Sequence, residues 1–334
     1  MSRARHTILG KAFEYACAIA LRDALCATQE VEMADSPQLQ SAERYFNDEL
    51  TEKERTRISN AARAGVRVLL RFEPQLSHPG DNQPLIIALA ADTRGQEGDV
   101  RDVLFIRRQN EWEIGISCKH NHMAVKHSRL SASIDFGQKW FGIPCSEQYF
   151  RDVEPIFSEL ERIKNQSNGT AKWSALGGNG AKTEIYRKVL TAFADELQRL
   201  ENLNPGQVAP KLISYLIGGH DFYKVIAIDK EKSTEVQAFN IYGTLNAAAG
   251  DKKSFTDIKR IKLPSRFHRV EFYKDDKGVE KPNTLAVYCD RGWEVSLRIH
   301  NASSRVEASL KFDVQLLTYP REIRNQIELW DSNE

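Results

Sequence analysis

The sequence predicts a mixed α/β (α+β) protein in which helices surround a small mixed sheet and a strand-rich part follows on the C-terminal side. Three observations carry that expectation. Apolar residues recur at helical spacing through most of residues 8–72. Three apolar runs, beginning at Leu85, Val103 and Trp112, follow one another as an antiparallel meander would. Beyond Pro205 and Pro210, the runs FYKVIAID, EVQAFNIYG, HRVEFYKD, LAVYCD, WEVSLRIHN and SLKFDVQLL are rich in β-branched and aromatic residues. The two prolines mark a boundary, giving a core over residues 1–204 and a strand-rich part over 205–334.

In chain order, residues 8–26 place Phe13, Cys17, Ala20, Leu21 and Ala24 on a helical stripe, on a helix that also carries Glu14. Ser36 is an N-cap for a second helix. Thr51, with Glu54 three residues later, has the capping-box pattern for a third, running to about Phe72. SHPGDNQP breaks the chain before the buried strand LIIALAAD, and Gln109-Asn110-Glu111 turns the next two strands into a hairpin. A short helix ends near Gly142, helices at 146–164 and 182–203 flank the polar NQSNGTAKWSALGGNG, and a helix at 211–216 leads into the strands. No internal repeat or low-complexity tract is present.

At 41% hydrophobic and 28% charged residues, the composition is that of a globular chain able to bury a large core. No apolar window approaches the ~18 residues of a membrane span, and the first residues lack a signal-like cleavage region, so no membrane association and a cytoplasmic location are expected. The five cysteines (17, 26, 118, 145 and 289) are scattered and form no CxxC pair, which argues against disulfides and zinc ribbons. A net charge of +1 predicts no polyanion partner, but its distribution does. Lys119, Lys126 and Arg129 stand with three histidines and no carboxylate, and residues 252–269 carry seven cationic side chains against Asp257.

Residues 98–129, GDVRDVLFIRRQNEWEIGISCKHNHMAVKHSR, carry the densest chemistry. Period-two alternation puts Glu113, Gly115, Ser117 and Lys119 on one face of the second strand, opposite Trp112, Ile114, Ile116 and Cys118. Asp99 and Asp102 lie at the mouth of the first strand, and the hairpin brings that mouth to Lys119. Acids and a lysine so placed can bind Mg²⁺ and steady a scissile phosphate. Glu113, about 20 Å along the strand from Lys119 at ~3.3 Å per residue, is too far to share the site. Two residues before the lysine, where a second acid would serve the metal, stands Ser117, so that acid comes from elsewhere: Asp135, Glu14 or Asp99.

Three other patterns are discounted. His120-Asn121-His122 spells HNH, but the nucleases of that name use dispersed residues. Cys118-x-His120-x-His122 offers zinc three ligands at most and no fourth. GGNGAKT, residues 177–183, does not place its lysine directly after the last glycine and follows no buried strand, so a flexible connector is expected rather than a phosphate loop.

The arrangement resembles the PD-(D/E)xK nuclease superfamily, with Asp102 or Asp99 as the first acid and Ser117-Cys118-Lys119 in place of E-x-K. GKAFEYACAIAL is similar to the superfamily's first helix, where a glutamate such as Glu14 often faces the metal. More narrowly, GDVRDVLF, GISCKHNHMAVKHSRLS, IDFGQKWFG and LRIHNASSRVEASLKFDVQLL resemble the HaeIII-type restriction endonucleases, in blocks spread over residues 10–317. The resemblance implies a restriction-endonuclease-like core and a type II enzyme that hydrolyses double-stranded DNA with Mg²⁺ at GGCC, between the central G and C. It also implies a cognate DNA methyltransferase. Members with serine at the position of Ser117 generally recruit an acid from a following helix, which favours Asp135; Glu14 stays open beside it.

On this reading Asp102, a second acid and the Cys118 carbonyl hold the metal, and Lys119 orients the attacking water or stabilises charge on the phosphate. Lys126, His127 and Arg129 lie near the phosphates. Arg298, Asn301, Arg305, Lys311 and Asp313 are candidates for reading guanine and cytosine edges, and residues 252–269 for backbone contact. A two-fold target suggests a homodimer. The alternatives are a structure-specific or repair nuclease of the same superfamily, and a non-catalytic DNA-binding module in which Ser117 marks a lost metal site.

Overall fold

Each helix start predicted from a capping residue has that residue in place. The computed structural model describes residues 3–77, 83–91, 98–108, 111–121, 128–176, 178–248, 256–301 and 303–331. In chain order the first elements are α1 (Arg3–Leu25), β1 (Val31–Met33), α2 (Pro37–Arg44), α3 (Glu52–Phe72), α4 (Pro74–Ser77), β2 (Leu85–Leu89), β3 (Val103–Arg107) and β4 (Trp112–His120). Then come β5 (Arg129–Leu130), α5 (Phe136–Phe141), α6 (Glu147–Gln166), α7 (Gly178–Leu203) and α8 (Val208–Ile217). The strands β6 (Phe222–Ile228), β7 (Ser233–Phe239), β8 (Phe267–Lys274), β9 (Glu280–Cys289), β10 (Glu294–His300), β11 (Leu310–Thr318) and β12 (Asn325–Leu329) complete the chain.

Ser36 caps α2 by accepting from the Leu39 N–H at 3.1 Å, with Pro37 in the first turn where its missing donor costs nothing. Thr51 and Glu54 form the reciprocal capping box of α3. Gly142 ends α5 with φ of +65°, the left-handed conformation a glycine adopts without a Cβ penalty. Residues 178–183 of GGNGAKT, expected as a connector, instead form the start of α7, and Gly177 lies outside the described residues.

The chain forms two compact units interleaved in sequence, Met1–Met123 with Gly218–Ile261 and Arg321–Glu334, and Ala124–Ile217 with Lys262–Pro320. This differs from a cut at residue 204, since β6 and β7 join the first sheet. That sheet has seven strands in the order β1-β2-β3-β4-β6-β7-β12, with β1–β2 and β4–β6 parallel and the other pairs antiparallel. The predicted meander is its β2-β3-β4 portion. Leu85, Ile87, Val103, Phe105, Ile114, Ile116, Val225 and Val236 point from the sheet into a core closed by α1 and α3. Gly65 permits the close approach of α3, since a Cβ there would lie 2.8 Å from Val225 Cγ1. The second unit holds an antiparallel sheet, β5-β11-β10-β9-β8. Its core gathers Phe136, Trp140, Phe193 and Phe312, with Trp140 stacked on Tyr215 at 4.9 Å.

Glu73, the residue that ends α3, is fully buried, its Oε2 accepting from the Tyr223 hydroxyl at 3.1 Å and the Asn246 N–H at 2.6 Å. Burial pushes its carboxyl from 4.5 up to about 7, against the downward pull of those hydrogen bonds. The unfolded chain releases this proton earlier, so the stability linked to it is complete below about 4.5 and is lost as pH rises through about 7. At ~1.4 kcal/mol per unit, the contribution is on the order of 3 kcal/mol. Glu73→Gln should flatten that part of the fall in urea midpoint between pH 5 and 8; an unchanged slope would refute the assignment.

Candidate active site

Asp102 sits one residue before β3 with its backbone bonded on both sides, its N–H to the Ile116 carbonyl at 2.7 Å and its carbonyl to the Ala90 N–H at 2.9 Å. Alternation from the buried Val103 turns its side chain to the face of β4 that carries Ser117 and Lys119. Three donors meet on its Oδ2: the Cys118 N–H at 2.7 Å, the Ser117 hydroxyl at 3.3 Å and Lys119 Nζ at 3.2 Å. Both side chains of the ion pair keep partial access, 22% for Lys119 and 25% for Asp102. Burial works against the Lys119 charge most strongly of any single influence, but the negative groups around it, Asp102 first, together hold the ammonium above its ordinary value.

Glu14 projects from α1, with Lys11 one turn away at 3.1 Å. Burial first, and then the negative charge of Asp102, push its carboxyl up to about 8, while Lys11 and Lys119 pull it back. Those mutual influences place Glu14, Asp102 and Lys119 in one electrostatic neighbourhood. The Cys118 thiol points into the core, where burial raises it well above its usual range.

Asp99 is taken up by Arg101, whose guanidinium reaches both its oxygens at 2.9 and 2.8 Å and bonds Glu113 at 2.7 Å. Gly115 leaves room for this arginine: a Cβ would come within 2.8 Å of Arg101 Cδ and of the Val103 carbonyl. Sequence reasoning misses Arg101 as a partner, although its place between two aspartates in GDVRD signals it. Asp135 lies in the second unit as the N-cap of α5, accepting from the Gln138 N–H at 2.8 Å and the Cys145 N–H at 3.1 Å.

Arg129, Arg298, Asn301, Arg305 and Lys311 fall in the second unit, whereas the basic stretch at 252–269 is divided between the two, residues up to Ile261 belonging to the first. Lys126 and His127 lie outside the described residues. Arg129 bonds Glu307 and Ser309 at 3.2 and 2.8 Å. Arg298 faces Asp313 in strand register, Nη2 to Oδ2 at 2.7 Å, with the arginine 54% exposed and the aspartate 5%. Lys311 is the next outward position, paired in register with His300 and Arg129. Asn301 is bound into its turn, exchanging hydrogen bonds with the Tyr186 hydroxyl at 2.9 Å and donating to the Ser303 carbonyl. Arg305 is exposed, in an isolated backbone bridge with Lys172. Of the basic stretch at 252–269, Lys252 and Lys253 lie outside the described residues, and Arg260 is bonded to the Ile241 carbonyl.

A mixed sheet that sets an aspartate at the mouth of one strand, a lysine at the end of its antiparallel neighbour and a buried glutamate on the covering helix defines a restriction-endonuclease-like nuclease. The chain belongs to the HaeIII restriction endonuclease family, whose model matches residues 10–320. It is 36% identical over 314 residues to the type II restriction enzyme HaeIII of Haemophilus aegyptius, across 94% of this chain and 95% of that one. No solved structure matches the chain. No helix among the described residues is long and apolar enough to cross a membrane.

Proposed function

We propose that this restriction endonuclease hydrolyses double-stranded DNA at GGCC, between the central G and C, with Mg²⁺ held by Asp102, Glu14 and the Cys118 carbonyl. The observation that carries the reading is the convergence of Ser117, Cys118 and Lys119 on one oxygen of Asp102, with Glu14 in the same field.

Among the described residues no cluster of three or more His, Cys, Asp or Glu side chains forms a ready-made cage. Mg²⁺ does not need one, since it commonly takes one or two carboxylates and keeps its remaining positions for water and phosphate oxygens. Two carboxylates in one electrostatic neighbourhood, one of them raised by burial and by the charge of the other, suit a divalent cation. When bound, the cation polarises the phosphate and lowers the pKa of a coordinated water. The residues of the chain do the rest. Cys118 N–H and Ser117 Oγ fix the rotamer of Asp102 and load only Oδ2, so Oδ1 receives none of these donors. Lys119, kept charged by Asp102, orients the attacking water or stabilises negative charge on the pentavalent phosphorus in the transition state. Glu14 supplies the acid that Ser117 lacks.

In the second unit, Arg298 presents a guanidinium preset by its register partner on β11, Asp313, and suits guanine O6 and N7. Arg129, Lys311, Arg305, Lys126 and His127 supply backbone charge, while Asn301 shapes its turn. A palindromic target is met by a homodimer, and an enzyme that cuts host DNA requires a partner methyltransferase in the same cytoplasm.

Incubating the protein with duplex DNA and Mg²⁺ should yield discrete fragments ending at GGCC, and none with EDTA. Cutting only at junctions or ends would transfer it to the structure-specific nucleases, and retardation without cutting to the DNA-binding modules.

A further inference from the structure

The strand that carries Lys119 ends in a side-chain knot that the catalytic reading leaves unexplained. On its β3 side the last register partner of β4 is Ile116, so Lys119 and His120 are held in the sheet by β6, opposite Ile226 and Ala227. Asn121 then adopts φ of +52°. Its amide donates to Asp229 Oδ2 at 2.7 Å, its Oδ1 accepts from the Asp229 N–H at 3.0 Å, and its own N–H reaches the Ala227 carbonyl at 3.0 Å. His120 Nε2 lies 3.3 Å from Asp229 Oδ1, and Arg57 of α3 lies 3.3 Å from Oδ2. The His120 ring also packs 6.3 Å from that of Phe13, the neighbour of Glu14 on α1.

We propose that Asn121 and Asp229 form a clasp that positions Lys119, with His120 and Arg57 orienting the aspartate. This rests on the reading of Lys119 as the catalytic cation. A strand end paired on one side only is free to fray, whereas the ammonium must stay within about 0.5 Å of its working place. The clasp fixes the backbone two residues beyond Lys119 through side-chain bonds in both directions. It also accounts for the HNH-like tripeptide: His120 and Asn121 serve as holders of Asp229 rather than as metal ligands.

Asn121→Gly separates the clasp from its backbone conformation, because glycine keeps the positive φ without strain and removes both side-chain bonds. The expected result is a kcat for GGCC cleavage lower by ~10- to 100-fold, with KM and DNA affinity within about 2-fold of wild type and the melting temperature nearly unchanged. Asp229→Ala should lose a similar factor, and the double variant no more than either single one, since both remove the same device. Wild-type kcat in Asn121→Gly, additive losses in the double variant, or a loss recovered at the lower temperature where the variant is fully folded would each overturn the clasp. Should Asp229→Ala fail to fold, the Asn121→Gly result decides alone. Failure of the underlying reading shows separately, as undiminished cutting by Lys119→Ala.

Discussion

Lys119→Ala should lower the rate of DNA cleavage by roughly 10²- to 10³-fold or more, the loss typical of one preorganised charge-stabilising donor. The ammonium is the only one of the three donors to Asp102 that carries charge, and it lies beside a carboxylate that keeps it protonated against the effect of burial. Without it the phosphate loses the cation that stands beside Asp102, while Asp102 remains tied to the Cys118 N–H and the Ser117 hydroxyl. Retardation of a GGCC duplex should therefore persist in gel shifts while single-turnover cleavage collapses. Cleavage at the wild-type rate would remove Lys119 from the mechanism and leave the Asp102 pair as a structural ion pair.

Glu14→Ala should abolish Mg²⁺-dependent cutting to a similar degree, whereas Asp135→Ala should act mainly on stability. The two acids differ in what they already do. Glu14 shares its electrostatic surroundings with Asp102 and Lys119 and has an elevated pKa that a bound cation would relieve. Asp135 is engaged by two backbone N–H groups at the start of α5, and loss of such a cap costs about 1 kcal/mol. Cleavage measured across a Mg²⁺ titration checks this directly. If Asp135→Ala abolished cutting in a fully folded protein and Glu14→Ala retained it, the acid missing at Ser117 would be Asp135, as the family resemblance favours.

The local features of the fold are legible because their causes lie within a few residues. Thr51 and Glu54 announce α3, Gly142 the end of α5, and alternation in WEIGISCK the face that carries Ser117 and Lys119. Three strands are not legible in this way: β1 spans three residues, β5 two, and β12 has exposed positions at both ends and its centre. None offers a hydrophobic pattern strong enough to stand out. Arg101 between two aspartates is visible as a charge, but its bonds to Asp99 and Glu113 depend on the vacant volume over Gly115.

By itself the sequence determined the class of fold, the hairpin that joins Asp102 to Lys119, the absence of an acid at Ser117 and the family to which the chain is similar. These follow from periodicity, capping and motif, all properties of near neighbours along the chain. Only the tertiary structure decided that β6 lies beside β4 although roughly a hundred residues separate them, and with it the interleaving of the two units and the meeting of Asn121 with Asp229. It likewise decided that Glu14, from a helix nearly ninety residues upstream, shares the field of Asp102. The physical reason is that pairing of distant strands and burial of a charge are settled by the packing of the whole core, in which many registers compete, and no short stretch of sequence records which of them wins.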